Sequence, residues 1–314
     1  MALKSQFVDV ACHVCSTPEP TKFICESRHL GLPAYVSICK GCGLVFLKPR
    51  WTKERYRQFY ETEYDRYYRP QVLCSASTKT RYMKAERIWA RISAYVVTSP
   101  LVMLDIGCGM GWTLDFLRRK LASVEIMGIE PSEQCAIHLQ EAIGGQLLSN
   151  DVDSLWHIGN ENRFDLIIMR HVLEHFLDPV SALHKVAHVL SAKGLLYIAV
   201  PDMMSPRSPL LNDWFRVVHT YYFSAPTLER TVTMAGLRPV VLQSEGVELW
   251  GVFQKGVHTP EQISVYHKQL QVIRSRLIRE RWSPLARRVV GAIPMRVKEL
   301  VPRRARRWLN KQLL

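Results

Sequence analysis

The chain has 314 residues, 47% of them hydrophobic, and 42 Lys and Arg against 28 Asp and Glu give a formal charge of +14. That length accommodates one large core plus an accessory module, and no apolar run approaches the roughly 20 residues a membrane-spanning helix needs. The opening MALKSQFVDVACHVC has no hydrophobic signal region and runs straight into cysteines, so the expectation is a cytoplasmic, reducing location.

The first feature along the chain is a pair of knuckles, Cys12-x-x-Cys15 and Cys39-x-x-Cys42, separated by 23 residues. Each pair can turn two thiolates towards one tetrahedral ion, and zinc is the expected metal. Four thiolates leave no open coordination position, so the metal is read as structural. Residues 1–50 are too few to bury a core of their own, whereas a structural zinc contributes on the order of 10 kcal/mol of folding free energy. Disulfides are the alternative, disfavoured by a reducing compartment. Cys25 is a spare that could replace one ligand; Cys74, Cys108 and Cys135 read as single thiols.

Residues 51–98 form a connector: the tyrosine-rich RQFYETEYDRYY, then a helical stretch from about Lys79 to Tyr95 expected to cap the next feature. That feature is an apolar strand from Leu101 to Ile106 that ends in Asp105-x-Gly107-x-Gly109-x-Gly111 and opens a helix. The glycines let the backbone approach a ligand closely. Asp105 would repel a pyrophosphate and welcome a cation, and the glycine spacing differs from the dinucleotide G-x-G-x-x-G. S-adenosylmethionine (SAM), with its ammonium and sulfonium, suits this loop better than NAD. The next apolar run, Val124 to Ile129, ends in Glu130, placed to accept the two ribose hydroxyls of an adenosine.

Apolar runs predict strands near 101–106, 124–129, 145–148, 164–169, 194–200, 238–243 and 249–254, with helices such as Gly111 to Leu121, Ser132 to Ala142 and Pro179 to Leu190 between most of them. The fold class is therefore α/β: a Rossmann-like, seven-stranded, mostly parallel sheet over residues 99–255, with a small N-terminal four-cysteine zinc module and a helical basic tail.

On these residues the chain resembles the class I SAM-dependent methyltransferases over roughly residues 80–255. The resemblance implies that Asp105, Gly107, Gly109 and Gly111 hold the methionine end of SAM, Glu130 the ribose, and Asp151 the adenine. FDLIIM followed by RHVLEHFLDP resembles the family segment that passes beneath SAM towards the substrate, with His171, Glu174 and His175 as its polar members. His171 is taken as a cofactor-side residue and His175 as a catalytic candidate, the alternative for His175 being a satisfied histidine on an amphipathic helix.

With the cysteine knuckles and CKGCGLVFLKPR added, the order of elements is similar to methyltransferases that carry an N-terminal zinc module, including sugar C-methyltransferases and relatives found with polysaccharide synthesis. This implies that Tyr60, Tyr64 and Tyr67 stand at the rim of the SAM and substrate pockets, or else pack helices. After the fifth strand comes an insertion expected to form an acceptor lid, then a helix starting at Ser224 or Pro226. Trp214 to Ser224 resembles a family pattern, an aromatic segment with histidine ending in Tyr-Phe-Ser, which makes His219 the first choice of general base. Some sugar C-methyltransferases have an acid just before this histidine. Val218 stands there, which leaves O-methylation of a sugar hydroxyl at least as well supported, with a purely structural His219 as the alternative.

From residue 256 onward fourteen Lys and Arg stand against three acids, so nearly all the basicity is local to residues 256–314. Ile263, Tyr266, Leu270, Ile273 and Leu277 recur at helical spacing, and Pro284, Pro294 and Pro302 are expected to start further short helices. The tail suits an anionic membrane surface, packing on the chain itself or a second copy, or RNA phosphates. Two functions follow: a methyltransferase for a small-molecule or glycan acceptor, nucleotide- or lipid-linked, and alternatively an RNA methyltransferase that binds through module and tail. RHVLEH in place of an Asn-Pro-Pro-Tyr type of motif counts against base N-methylation. A SAM-binding scaffold without catalysis is the third possibility.

Overall fold

A computed structural model describes residues 6–15, 20–68, 78–96, 102–121, 124–261 and 264–292. Cys74, Leu101, Ile263, Pro294, Pro302 and the arginines from Arg296 onward lie outside the described residues.

The N-terminal region contributes β1 (Phe7–Val8), β2 (Thr21–His29), β3 (Leu32–Cys39), β4 (Val45–Leu47) and β5 (Arg50–Trp51). The connector forms α1 (Lys53–Thr62), α2 (Tyr64–Tyr68) and α3 (Thr78–Ile92). Then strands and helices alternate: β6 (Val102–Ile106), α4 (Trp112–Lys120), β7 (Glu125–Ile129), α5 (Glu133–Glu141), β8 (Gln146–Ser149), β9 (Phe164–Arg170), α6 (Pro179–Val189) and β10 (Leu190–Pro201). The chain closes with β11 (Tyr221–Tyr222), α7 (Ala225–Met234), β12 (Leu237–Glu245), β13 (Glu248–Lys255) and α8 (Tyr266–Ala292).

The seven-stranded sheet runs β12-β13-β10-β9-β6-β7-β8. Among its strands β13 alone is reversed, pairing antiparallel with both β10 and β12. This is the class I methyltransferase fold, and the strands fall within a few residues of the expected ones. Because alternate side chains of a strand face opposite ways, adjacent residues supply two cores. Leu104, Ile106, Met127, Ile167 and Ile198 pack under α6 and α7, beside Leu183, Val186, Leu228 and Val232. Met103, Ile126, Leu166, Ile168 and Tyr197 pack under α3, α4 and α5, beside Ala85, Ile88, Leu117 and Leu139. Each such buried aliphatic side chain stabilises the fold by roughly 1.5–3 kcal/mol relative to exposure.

Helix starts follow their caps. Asp178 accepts from the Ser181 amide at 3.0 Å with Pro179 in the first turn of α6, and Ser224 and Thr227 form a capping box at α7.

The second sheet joins distant parts of the chain in the order β11-β4-β3-β2. Its outer strand comes from the insertion after β10, not from the N-terminal region. Tyr221 pairs with Phe46 and Tyr222 with Val45, so the expected acceptor lid is a strand of the N-terminal sheet. Ser27 Oγ lies between the carbonyls of Leu211 and Phe215, at 2.5 and 2.6 Å, and its one proton fastens this part of the insertion against β2.

One expectation changes, and one of the alternatives for the tail gains support. Helix α8 runs unbroken to Ala292, through Pro284, which was expected to open a new helix. A proline removes one backbone hydrogen bond and can bend a long helix without ending it. Leu270 and Ile273 of its apolar stripe are buried in the core shared by the N-terminal sheet and the insertion, while Lys268, Arg274, Arg279 and Arg281 are exposed. The stripe therefore packs on protein. No helix among the described residues is long and apolar enough to cross a membrane.

Candidate active site

The glycine loop leaves β6 with Gly107, Gly109 and Gly111 all at positive φ, at +74°, +55° and +77°. A Cβ on Gly107 would strike Val172 Cγ2 at 2.5 Å, whereas the space beside Gly109 is open. The Gly109 amide donates to Glu130 Oε2 at 2.8 Å and the Ser132 amide to Oε1 at 3.0 Å. Glu130, at the end of β7, thus pins the glycine loop and the start of α5 with one carboxylate.

Asp105 is buried at the end of β6. Burial, reinforced by the neighbouring Glu130 charge, pushes its carboxyl up to about 8, with Arg170 opposing. Two acids so close in an apolar crevice suit a cationic ligand. Asp151 lies just past β8, exposed, its Oδ1 accepting from the Asp153 amide at 2.8 Å. Asp105, Glu130 and Asp151 thus follow three neighbouring strands at their carboxyl ends, where ligands of open α/β sheets bind.

After β9 the chain makes a single 3₁₀ turn, Leu173–His175, too short to be the amphipathic helix considered for His175. His171 has φ +53°, in the left-handed region, and its amide donates to the Ala199 carbonyl at 2.8 Å. Its ring lies between two carboxylates, Nε2 at 2.8 Å from Glu248 Oε1 and Nδ1 at 3.4 Å from Glu174 Oε1. Burial opposes its protonation, yet these two acids outweigh it and raise its pKa. Glu248 also accepts from Arg91 Nη1 at 2.6 Å and Arg170 Nη2 at 3.0 Å. His171 is therefore held from behind by β13. Glu248, Arg91 and Arg170 are site-supporting residues that sequence reasoning did not find, since no motif surrounds them and only the strand order brings them together.

Glu174 is fully buried, and neither of its carboxylate oxygens has a hydrogen-bond partner among the described residues. One of its oxygens and one ring nitrogen each of His175 and His219 lie within 4.8 Å of one another. The two imidazole rings meet edge to face with centroids 4.8 Å apart, and His175 Nδ1 lies 3.1 Å from Tyr60 Oη. Burial lowers the pKa of both histidines, that of His219 far below 6.5, with His175 and then Arg216 adding to the effect. Both are neutral at pH 7. Of the connector tyrosines, Tyr60 reaches this cluster, while Tyr64 and Tyr67 pack around Phe59.

The four expected cysteines converge. Cys12 and Cys42 sulfurs are 3.6 Å apart and those of Cys15 and Cys39 3.4 Å, and no pair among them is a disulfide. A zinc ion with Zn–S bonds of about 2.3 Å needs sulfurs about 3.8 Å apart, so the donor set fits with a small outward adjustment. Cys25 is in β2, outside the cluster.

A family profile described as a methyltransferase domain matches residues 78–242, just over half of the chain. The chain belongs to this methyltransferase family. The ubiquinone biosynthesis O-methyltransferase of Serratia proteamaculans (strain 568) is 29% identical over 100 residues, 31% of this chain and 41% of that protein. An uncharacterized methyltransferase of Schizosaccharomyces pombe, C1B3.06c, is 27% identical over 113 residues, 33% of this chain and 41% of that protein. The chain thus spans about two fifths of the length of the curated relatives it matches. Among solved structures, the PH0226 protein from Pyrococcus horikoshii OT3 has a TM-score of 0.47 at 16% identity, covering 63% of this chain and 98% of that one.

Proposed function

We propose that this methyltransferase moves the methyl group of SAM onto a hydroxyl of a small-molecule or glycan acceptor, with His219 as general base. The observation that carries the proposal is the neutral His219–His175 pair beside buried Glu174, at the same sheet edge as the acidic glycine crevice. When bound, SAM supplies a methyl carbon already activated by its positive sulfur. Asp105 and the loop of Gly107, Gly109 and Gly111 hold the methionine end, Glu130 the ribose and Asp151 the adenine edge, while His171 stands between Glu248 and Glu174.

On the acceptor side, His219 takes the hydroxyl proton as the oxygen bonds to the methyl carbon and the carbon–sulfur bond breaks. A half-buried, neutral imidazole is unprotonated and ready, and Glu174 compensates the imidazolium that forms. His175, held by Tyr60, keeps the His219 ring in place. Most of the acceleration comes from holding nucleophile, methyl carbon and sulfur in line in a dry crevice.

We assign the four-cysteine cluster to structural zinc. The apolar stripe of α8 is covered by protein, so contact with an anionic membrane falls to its charged face and to the tail beyond residue 292.

The reading is tested with purified protein, methyl-labelled SAM and fractionated cell extract. It expects label in nucleotide-sugar, lipid-linked glycan or other small-molecule fractions. Label released by RNase would overturn it and make the basic tail an RNA-binding element.

A further inference from the structure

The segment carrying His219 is held by the N-terminal region and the connector helix α1 at three points. Tyr56 Oη donates to the Val217 carbonyl at 2.8 Å, and the Leu47 amide donates to the Thr220 carbonyl at 3.0 Å. The third point is the Tyr221 hydroxyl, which lies 2.6 Å from His13 Nδ1 and 3.1 Å from the Leu177 carbonyl and accepts from Arg50 Nη1 at 3.1 Å. His13 belongs to the turn between Cys12 and Cys15. Thr220 ties the same segment to the turn after β9, because its Oγ1 lies 2.6 Å from the Phe176 carbonyl, to which it donates, and 3.0 Å from that of Glu174. His219 adjoins Thr220 and stands two residues from Tyr221, so each of these bonds limits where its ring can go.

We propose that the cysteine knot is the anchor of the acceptor-side wall, with Tyr221 and His13 as the positioning residues that carry its order to His219. The knot fixes the Cys12–Cys15 turn, the turn presents His13, His13 and Arg50 grip the Tyr221 hydroxyl, and β11 is thereby held against β4. Tyr221 is fully buried and its ring stacks on Phe46 and Phe223. Removing only the hydroxyl leaves that packing in place and cuts the polar link. Coupling of this kind is reciprocal, so whatever loosens β11 also loosens the metal. The inference rests on the reading of His219 as the base only for its consequence in catalysis, not for the link itself.

The test uses the full chain with its metal and follows the His219 imidazole resonance by NMR, assigned by its loss in His219→Ala. Zinc content and affinity for S-adenosylhomocysteine are measured alongside. In Tyr221→Phe and His13→Ala the His219 resonance should shift or broaden while S-adenosylhomocysteine affinity stays within about twofold, and His13→Gln, which keeps a hydrogen-bonding group, should restore it. Loss of zinc in Tyr221→Phe would be the same coupling read in reverse. An unmoved His219 resonance in both variants with zinc retained would overturn the proposal. Turnover unchanged in His219→Ala would remove the base reading and leave the resonance result standing.

Discussion

Tyr221 Oη and His13 Nδ1 stand 2.6 Å apart although 208 residues separate them in the chain. One belongs to the strand that follows His219 and the other to the first cysteine knuckle, so the four-cysteine module and the segment that carries His219 are one piece of structure. The protein should therefore carry about one zinc per chain, and Cys39→Ser, at a fully buried ligand position, should lose it. Metal analysis and thermal melting check this: zinc removal is expected to lower stability by roughly 2 kcal/mol or more and to weaken S-adenosylhomocysteine binding far less than it weakens turnover.

Asp105 gives a prediction with a definite pH direction. Its carboxyl rises from 3.8 to about 8 in the folded, ligand-free chain. A carboxyl with a raised folded-state value favours the folded state at low pH and loses that contribution as pH rises from about 4 to about 8. Asp105→Asn should therefore stabilise the ligand-free protein at pH 8 and above, by roughly 1–3 kcal/mol, while abolishing measurable SAM binding. In the wild type, SAM affinity should climb with pH up to about 8 as the carboxylate becomes available. Calorimetry at several pH values checks both; a SAM affinity left intact by Asp105→Asn would contradict the cofactor assignment.

His219 and His175 are neutral at pH 7 because burial lowers their pKa values. The acid limb of the pH–rate profile should consequently fall below the ordinary imidazole value of about 6.5. His219→Ala should cut turnover by roughly 100-fold or more with SAM affinity preserved. A wild-type acid limb at or above 6.5 would count against the assignment.

Glu174 has both carboxylate oxygens buried without a hydrogen-bond partner among the described residues; His171 Nδ1 stands 3.4 Å from its Oε1, and one of its oxygens lies within 4.8 Å of ring nitrogens of His175 and His219. Glu174→Gln should leave folding and SAM binding near wild type and reduce turnover by roughly 10-fold or more. The loss would appear in kcat more than in KM, since the carboxylate acts on the imidazolium and not on the bound acceptor.

Leu270 and Ile273 of α8 lie in the protein core. Ile273→Ala should cost roughly 2–4 kcal/mol in denaturant unfolding. A change within 0.5 kcal/mol, the range of surface substitutions, would show that the helix does not pack as described.

Much of this was readable before the structure. The apolar run from Leu101 to Ile106 marks a strand, and the glycines after Asp105 mark the end expected to carry a ligand. The cysteine spacing gave the knot because two thiolates two residues apart must share a turn. What could not be read was whatever depends on strand order and long-range register. Glu248 meets His171 only because reversed β13 lies beside β10, and Tyr221 meets His13 only because the insertion adds a strand to a sheet that ends near residue 47. The tail left alternatives open for a related reason: an apolar stripe shows that a helix has a covered side, not whether protein or lipid covers it, and only the fold shows Leu270 and Ile273 packed on protein.

The most direct measurement is methyl transfer from labelled SAM by wild-type protein and by His219→Ala into the same fractionated extract. The account predicts label in a small-molecule or glycan fraction with wild type and its near loss with the variant. Equal labelling by the two proteins, or label confined to RNase-sensitive material, would contradict it.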